Sequence, residues 1–209
     1  MDGRFVTFEG GEGTGKSTQI KLVAERLKTA GVEVLQTREP GGTPESEALR
    51  NLLVNGDASR WSAAAEALLN YAARDSHLRK VIRPALISGK VVLCDRFMDS
   101  TRAYQGYAGQ CDMHLIDSLE RAIVGATRPG LTLIFDLDPE AGLARARARN
   151  DGMEDRYERK GLEFHHRLRD GFMQIAEQEA QRCRVIDAAG SIEEVASRVN
   201  AVLRGLLHG

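Results

Sequence analysis

Phe5-Val6-Thr7-Phe8-Glu9-Gly10-Gly11-Glu12-Gly13-Thr14-Gly15-Lys16-Ser17-Thr18 stands near the start of the chain, and its parts differ in physical character. The first five residues are mostly β-branched or aromatic and read as a strand. The next eight match Gly-x-x-x-x-Gly-Lys-[Ser/Thr] in full. From Thr18 onward Ile20, Val23, Ala24 and Leu27 recur at spacings of three and four, which makes one apolar helix face. A glycine loop between strand and helix cradles phosphate. Glycines let the backbone turn its N–H groups inward, and the helix N-terminus adds partial positive charge. Gly10, Gly11, Glu12, Gly13, Thr14, Gly15, Lys16, Ser17 and Thr18 are therefore the expected nucleotide-binding residues. Lys16 is expected on the β and γ phosphates and the Ser17 hydroxyl on Mg²⁺. The bland alternative is a glycine-rich turn that precedes a helix by chance.

Outward from this segment, strand-like runs at Arg4–Glu9, Val32–Thr37, Val91–Asp95, Leu131–Asp136 and Arg184–Ile186 alternate with helical patterns. The helices are expected near Ser17–Ala30, Pro44–Val54, Ala63–Ile87, Asp112–Val124, Pro139–Arg149, Gly161–Ala180 and Ile192–Leu207. This order implies an α/β fold, a three-layer sandwich in which helices flank a five-stranded parallel sheet. One domain over residues 1–209 is expected. Its most charged and irregular stretch, approximately 145–159, is expected to form a short arginine-rich lid.

Composition narrows the function. The 209 residues carry 29 Lys+Arg against 30 Asp+Glu, a net charge of −1, so no general basic face awaits nucleic acid. No apolar run approaches the roughly 20 residues of a membrane helix. The start, Met1-Asp2-Gly3-Arg4, shows no signal-peptide pattern. Cys94, Cys111 and Cys183 are scattered and fit neither a disulfide framework nor a zinc site, so a cytoplasmic protein is expected. A guanine-reading Asn-Lys-x-Asp is absent, and Asp-x-x-Gly occurs only at Asp187–Gly190, out of order for a GTPase.

Four further stretches join the cradle: Thr37-Arg38-Glu39-Pro40-Gly41-Gly42-Thr43; Glu66 through Arg74 on a long helix; Asp95-Arg96-Phe97 with Ser100-Thr101 and Tyr104-Gln105-Gly106; and Arg145-x-Arg147-x-Arg149 with Asp155-Arg156-Tyr157-Glu158. With these the sequence closely resembles the bacterial thymidylate kinases, phosphate-loop nucleoside monophosphate kinases, from the first strand to at least Glu158. The resemblance implies transfer of a phosphoryl group from ATP to dTMP with Mg²⁺, in a homodimer. It implies Glu12 near the sugar 3′-hydroxyl, Arg74 as base reader, Arg96 as clamp on the acceptor phosphate, and Asp95 on the water shell of Mg²⁺. It further implies Ser100, Thr101, Tyr104, Gln105 and Tyr157 around the acceptor, and Glu39 supporting the acceptor phosphate and standing as a metal candidate. Plainer readings stand beside these. Arg74 would also fit an ion pair with Asp75 or Glu66, Asp95 a salt bridge to Arg96, and Tyr104 a core position.

Where relatives usually stack a Phe on the base, this chain has Asn70, with an aromatic next door at Tyr71. One position rotates a side chain by about 100°, so either Tyr71 swings in to stack or the base is held more weakly. Tyr107-Ala108-Gly109-Gln110 replaces a glycine-rich run containing Arg, and Thr14 stands where Ala is frequent. Gly11–Thr14 contains no arginine, so the resemblance implies a catalytic arginine from the lid, with Arg145, Arg149 and Arg156 as candidates. A solvated basic helix end is the alternative for that run. Two other functions remain open at this point: a kinase for another pyrimidine nucleoside monophosphate, and an ATP-binding switch without transfer.

Overall fold

The computed structural model describes residues 4–149 and 156–207. Five strands, β1 (Phe5–Gly10), β2 (Val34–Arg38), β3 (Val91–Asp95), β4 (Leu131–Asp136) and β5 (Cys183–Asp187), form one sheet in the order β2-β3-β1-β4-β5. Every pairing is parallel, so each crossover needs a covering helix. Those helices are α1 (Lys16–Thr29), α2 (Pro44–Val54), α3 (Ala63–His77), α4 (Arg83–Ile87), α5 (Met98–Thr101), α6 (Met113–Ile123), α7 (Pro139–Arg149), α8 (Leu162–Gln178) and α9 (Ile192–Leu207).

One apolar layer joins Ile20, Val23, Ala24 and Leu27 of α1 to Val195, Val199 and Leu203 of α9 over Val6, Phe8 and Leu133 of the sheet. The other face is covered by Tyr71 of α3, Leu78 and Ile82 just after it, Ala85 of α4, Ile116 of α6, and Leu168 and Phe172 of α8. The α/β sandwich expected from the strand–helix alternation is what the chain forms. The long helix expected over Ala63–Ile87 is continuous but widens to a π turn at Leu78–Ile82. Pro84 explains the widening: it lacks an N–H and its ring would strike the carbonyl four residues back. A second helical run, α5 continued by a π turn over Arg102–Ala108, has no counterpart in the sequence reading. Among the described residues no helix is long and apolar enough to cross a membrane.

The carboxyl ends of β1, β3 and β4 meet at the centre of the sheet, where a parallel fold leaves its crevice. The cradle is held there by close backbone contact. A Cβ on Gly13 would lie 2.0 Å from the Gly142 carbonyl oxygen, and one on Gly142 would lie 2.5 Å from the Glu12 carbonyl oxygen. The loop tip and α7 thus touch through two glycines. Gly142→Ala is expected to lower kcat/KM tenfold or more and to lower the melting temperature by up to about 2–8 °C. Overpacking costs about 1–3 kcal/mol while removing a helix glycine returns about 1 kcal/mol. Initial rates beside a melting curve check this.

Candidate active site

Gly10, Gly13 and Gly15 have φ of 133°, 67° and 84°, values that glycine adopts without strain. They bend the loop so that α1 begins at Lys16. The Lys16 Nζ is buried and folds back on the loop, donating to the carbonyls of Gly10 (3.1 Å) and Gly11 (2.7 Å) and to Thr14 Oγ1 (3.0 Å). Burial and then Arg96 bring its amine down to about 8, against the pull of Asp95, Glu12 and Glu9. The neutral amine therefore accumulates above about pH 8. Labelling of Lys16 by an amine-reactive reagent, followed by mass spectrometry, is expected to rise with a midpoint near 8 in the free protein. Bound triphosphate favours the ammonium and should move the midpoint up.

Ser17 Oγ donates to Asp95 Oδ2 at 2.6 Å, joining the helix start to the end of β3. A hydroxyl and a carboxylate beside a phosphate cradle suit a cation that keeps several waters and shares phosphate oxygens. Among the described residues no cluster of three or more His, Cys, Asp or Glu could hold a metal by itself. Glu39 stands elsewhere. Its Oε2 accepts from Arg74 Nε (2.7 Å) and its Oε1 meets His77 Nδ1 (3.0 Å), so both oxygens brace neighbouring side chains.

Arg96 follows β3 with φ of 66°, in the left-handed region that a side chain disfavours. Its Nη1 donates to the Gly10 carbonyl (2.9 Å) and Ser100 Oγ (3.3 Å), its Nη2 to Glu12 Oε1 (3.1 Å), and the guanidinium lies 4.8 Å from the Tyr104 ring centre. Tyr104 OH donates to the same Glu12 oxygen at 2.6 Å. Burial would push the Glu12 carboxyl up, but Arg96, Lys16 and the Tyr104 hydroxyl outweigh it and bring it down to about 2. Glu12 is an anion throughout the working range.

Beyond Arg96 opens a cleft of about 120 Å³ lined by Glu12, Glu39, Asn70, Arg74, Arg96, Ser100, Thr101, Tyr104, Gln105 and Tyr157 among others. Arg74 is buried in its wall between the rings of Tyr71 (4.5 Å) and Phe97 (5.0 Å). Its Nε is held by Glu39, and its Nη2 donates to the Phe97 carbonyl (2.9 Å) and Thr101 Oγ1 (3.1 Å). Its Nη1 is buried with no hydrogen-bond partner. A buried guanidinium N–H left over from such a complete set points to a ligand acceptor.

The cleft residues lie on five segments that the fold gathers, and known proteins carry similar sequences. Residues 8–199 match the family described as Thymidylate kinase. The Thymidylate kinase of Caulobacter vibrioides is 56% identical over 201 residues, covering 96% of this chain and 96% of that protein. That of Rhodopseudomonas palustris (strain TIE-1) is 52% identical over 98% of this chain and 90% of its own length. The chain belongs to the thymidylate kinase family. A crystal structure of thymidylate kinase from Ehrlichia chaffeensis superposes with a TM-score of 0.77 at 40% identity, over 96% of this chain and 97% of that one.

Within this thymidylate kinase family member, several candidate residues take other posts than the sequence suggested. Tyr71, one of the two alternatives for holding a base, is wholly buried against Arg74 and is not among the residues lining the cleft. Asn70 does line it, with its Nδ2 donating to the Glu66 carbonyl at 2.9 Å. Arg156 is completely buried and donates to the carbonyls of Leu53, Asp57 and Ala58 and to Glu66 Oε1 (2.6 Å). These contacts tie Arg156 to the α2 end, the loop after it and α3. Arg145 is exposed and donates to the Ala188 carbonyl at 3.2 Å. Arg149 closes α7, and its side chain, like residues 150–155 of the expected lid, lies outside the described residues.

Sequence reasoning also missed residues. Buried Glu66, read only as an ion-pair partner for Arg74, receives Arg156, Lys160 (3.0 Å), Gln105 (2.8 Å) and Tyr157 (3.2 Å). Arg50 lines the cleft and donates to the Pro40 carbonyl at 3.1 Å. The only signal for Glu66 was a carboxylate on the inward face of α3.

Proposed function

We propose that this chain transfers the γ-phosphoryl group of ATP to dTMP, giving dTDP and ADP. The observation that carries the acceptor side is Arg74, a residue of the cleft wall whose buried Nη1 has no partner and would suit a pyrimidine carbonyl oxygen. The acceptor phosphate, with a second pKa near 6, is largely a dianion at neutral pH and needs no general base. The protein's task is to align two polyanions and neutralise their charge.

Arg96 suits the acceptor phosphate because its planar fork can exchange Ser100 and Glu12 for two phosphate oxygens. Lys16 can leave its three loop contacts for the β and γ phosphates. Glu12, ionised and held by Tyr104, can accept from the sugar 3′-hydroxyl. Thr101, Tyr104, Gln105 and Tyr157 close the cleft around sugar and base. Ser17 and, through water, Asp95 are the residues that would hold Mg²⁺, which supplies charge neutralisation on the phosphates. Arg145 and Arg149 of α7 are the arginines left to approach from the lid, and closure there would exclude water.

The same reading takes residues 1–209 as one domain with a lid near 145–159, acting in the cytoplasm as a homodimer, without nucleic-acid or membrane partners. The test is ADP release with ATP and Mg²⁺ in a panel of dTMP, dUMP, UMP, dCMP, dGMP and AMP, beside a tube without acceptor. Strong release with dTMP and weak release with dUMP is the expected result. Preference for another acceptor would keep the reaction and overturn the assignment of Arg74. Equal slow release in every tube would overturn transfer itself.

A further inference from the structure

Glu9, the residue before the cradle, is fully buried beneath Arg96, and none of the roles above uses it. Its Oε1 accepts the Phe97 N–H at 2.8 Å, and its Oε2 accepts the Ser100 hydroxyl. Phe97 follows Arg96 directly, so the first bond fixes the peptide that leaves the left-handed residue. Left-handed backbone costs a side-chain-bearing residue about 1–2 kcal/mol and persists only where neighbours hold it. Ser100 Oγ, which donates to Glu9, accepts from Arg96 Nη1 at 3.3 Å. One carboxylate therefore grips Arg96 at both ends: its backbone through Phe97 and its guanidinium through Ser100.

We infer that Glu9 is a positioning residue that aims Arg96 at the acceptor phosphate, an inference that rests on reading Arg96 as the phosphate clamp. The neighbours leave this task to Glu9. Asp99, a buried carboxylate that acts on Glu9, is held by Arg182 Nη1 (2.7 Å) and Nη2 (2.8 Å). Asp95 accepts from Ser17. The charged and titratable groups facing Glu9 are Asp99 of α5, Arg96, Lys16 of α1, Arg74 of α3, Cys94 of β3 and Cys183 of β5. Burial and Asp99 push its carboxyl up to about 7, and Ser100, Arg96 and the Phe97 N–H restrain the rise. The charge on Glu9 and the placement of Arg96 are thus linked.

Calorimetric titration with dTMP and with thymidine separates positioning from mere scaffolding, because thymidine offers Arg96 no phosphate. Glu9→Gln is expected to weaken dTMP binding roughly tenfold, the scale of outer partners that orient a ligand-holding group, and to leave thymidine within about twofold. Ser100→Ala should act in the same direction and carries the test if Glu9→Gln does not fold. The pair Glu9→Gln/Arg96→Lys should bind dTMP no more weakly than Arg96→Lys alone. Equal loss for both ligands, no loss for dTMP, or an additive double variant would overturn the inference. Loss in Arg96→Lys without loss in Glu9→Gln would overturn it while the clamp stands. Undiminished dTMP binding by Arg96→Lys would overturn the clamp and the inference together.

Discussion

Arg74→Met should lower kcat/KM for dTMP by about a thousandfold or more and destabilise the fold by about 3–5 kcal/mol. Two losses combine. The cleft loses the Nη1 that has no protein partner, and a site built to hydrogen-bond its ligand discriminates by about 10⁴ when that bond is missing. The fold loses the cation beside Glu39, leaving a carboxylate that is 4% exposed with only His77. Arg74→Lys separates them. An ammonium near Glu39 restores much of the stability, but it cannot span Glu39, Phe97 and the cleft at once, so activity stays low. Denaturant unfolding and initial rates on both variants check this. Recovery of activity in Arg74→Lys would remove the two-pronged reading of the base.

The second large effect falls on the donor side. Lys16→Met should lower kcat by about 10²–10³, the cost of one preorganised donor aimed at developing charge, and leave dTMP affinity within a few-fold. The contacts it abandons are two loop carbonyls and Thr14, which face the crevice, so folding should survive. Single-turnover phosphoryl transfer with calorimetry of dTMP binding distinguishes this from loop collapse, which would take both ligands' affinities down together.

The sheet was legible because its signals are local. Phe5–Glu9, the glycine loop and the apolar stripe of Ile20, Val23, Ala24 and Leu27 each announce their element within a few residues. The helix over Met98–Ala108 was not legible because buried polar residues, Asp99, Ser100, Thr101 and Gln105, are interspersed with buried Met98, Ala103, Tyr104 and Ala108 and blur the apolar period. Residue identities in the cleft could be read from motifs, but burial could not. Arg156 sits in a charged run and looks solvent-bound until Glu66, 90 positions earlier, is brought against it. Asn70 keeps the cleft position and Tyr71 turns inward, because one step along α3 turns a side chain from cleft to core.

Asn70 has a consequence for inhibitor chemistry. With Nδ2 committed to the Glu66 carbonyl, Asn70 brings an amide rather than a ring to the cleft wall. A competitive compound carrying an amide or amine N–H toward that wall gains a directed bond. One that relies on an apolar ring at the same place desolvates the amide for nothing. Scaffolds tuned on pockets with a phenyl group at this position should therefore lose potency against this enzyme, and polar variants of the same scaffold should recover it.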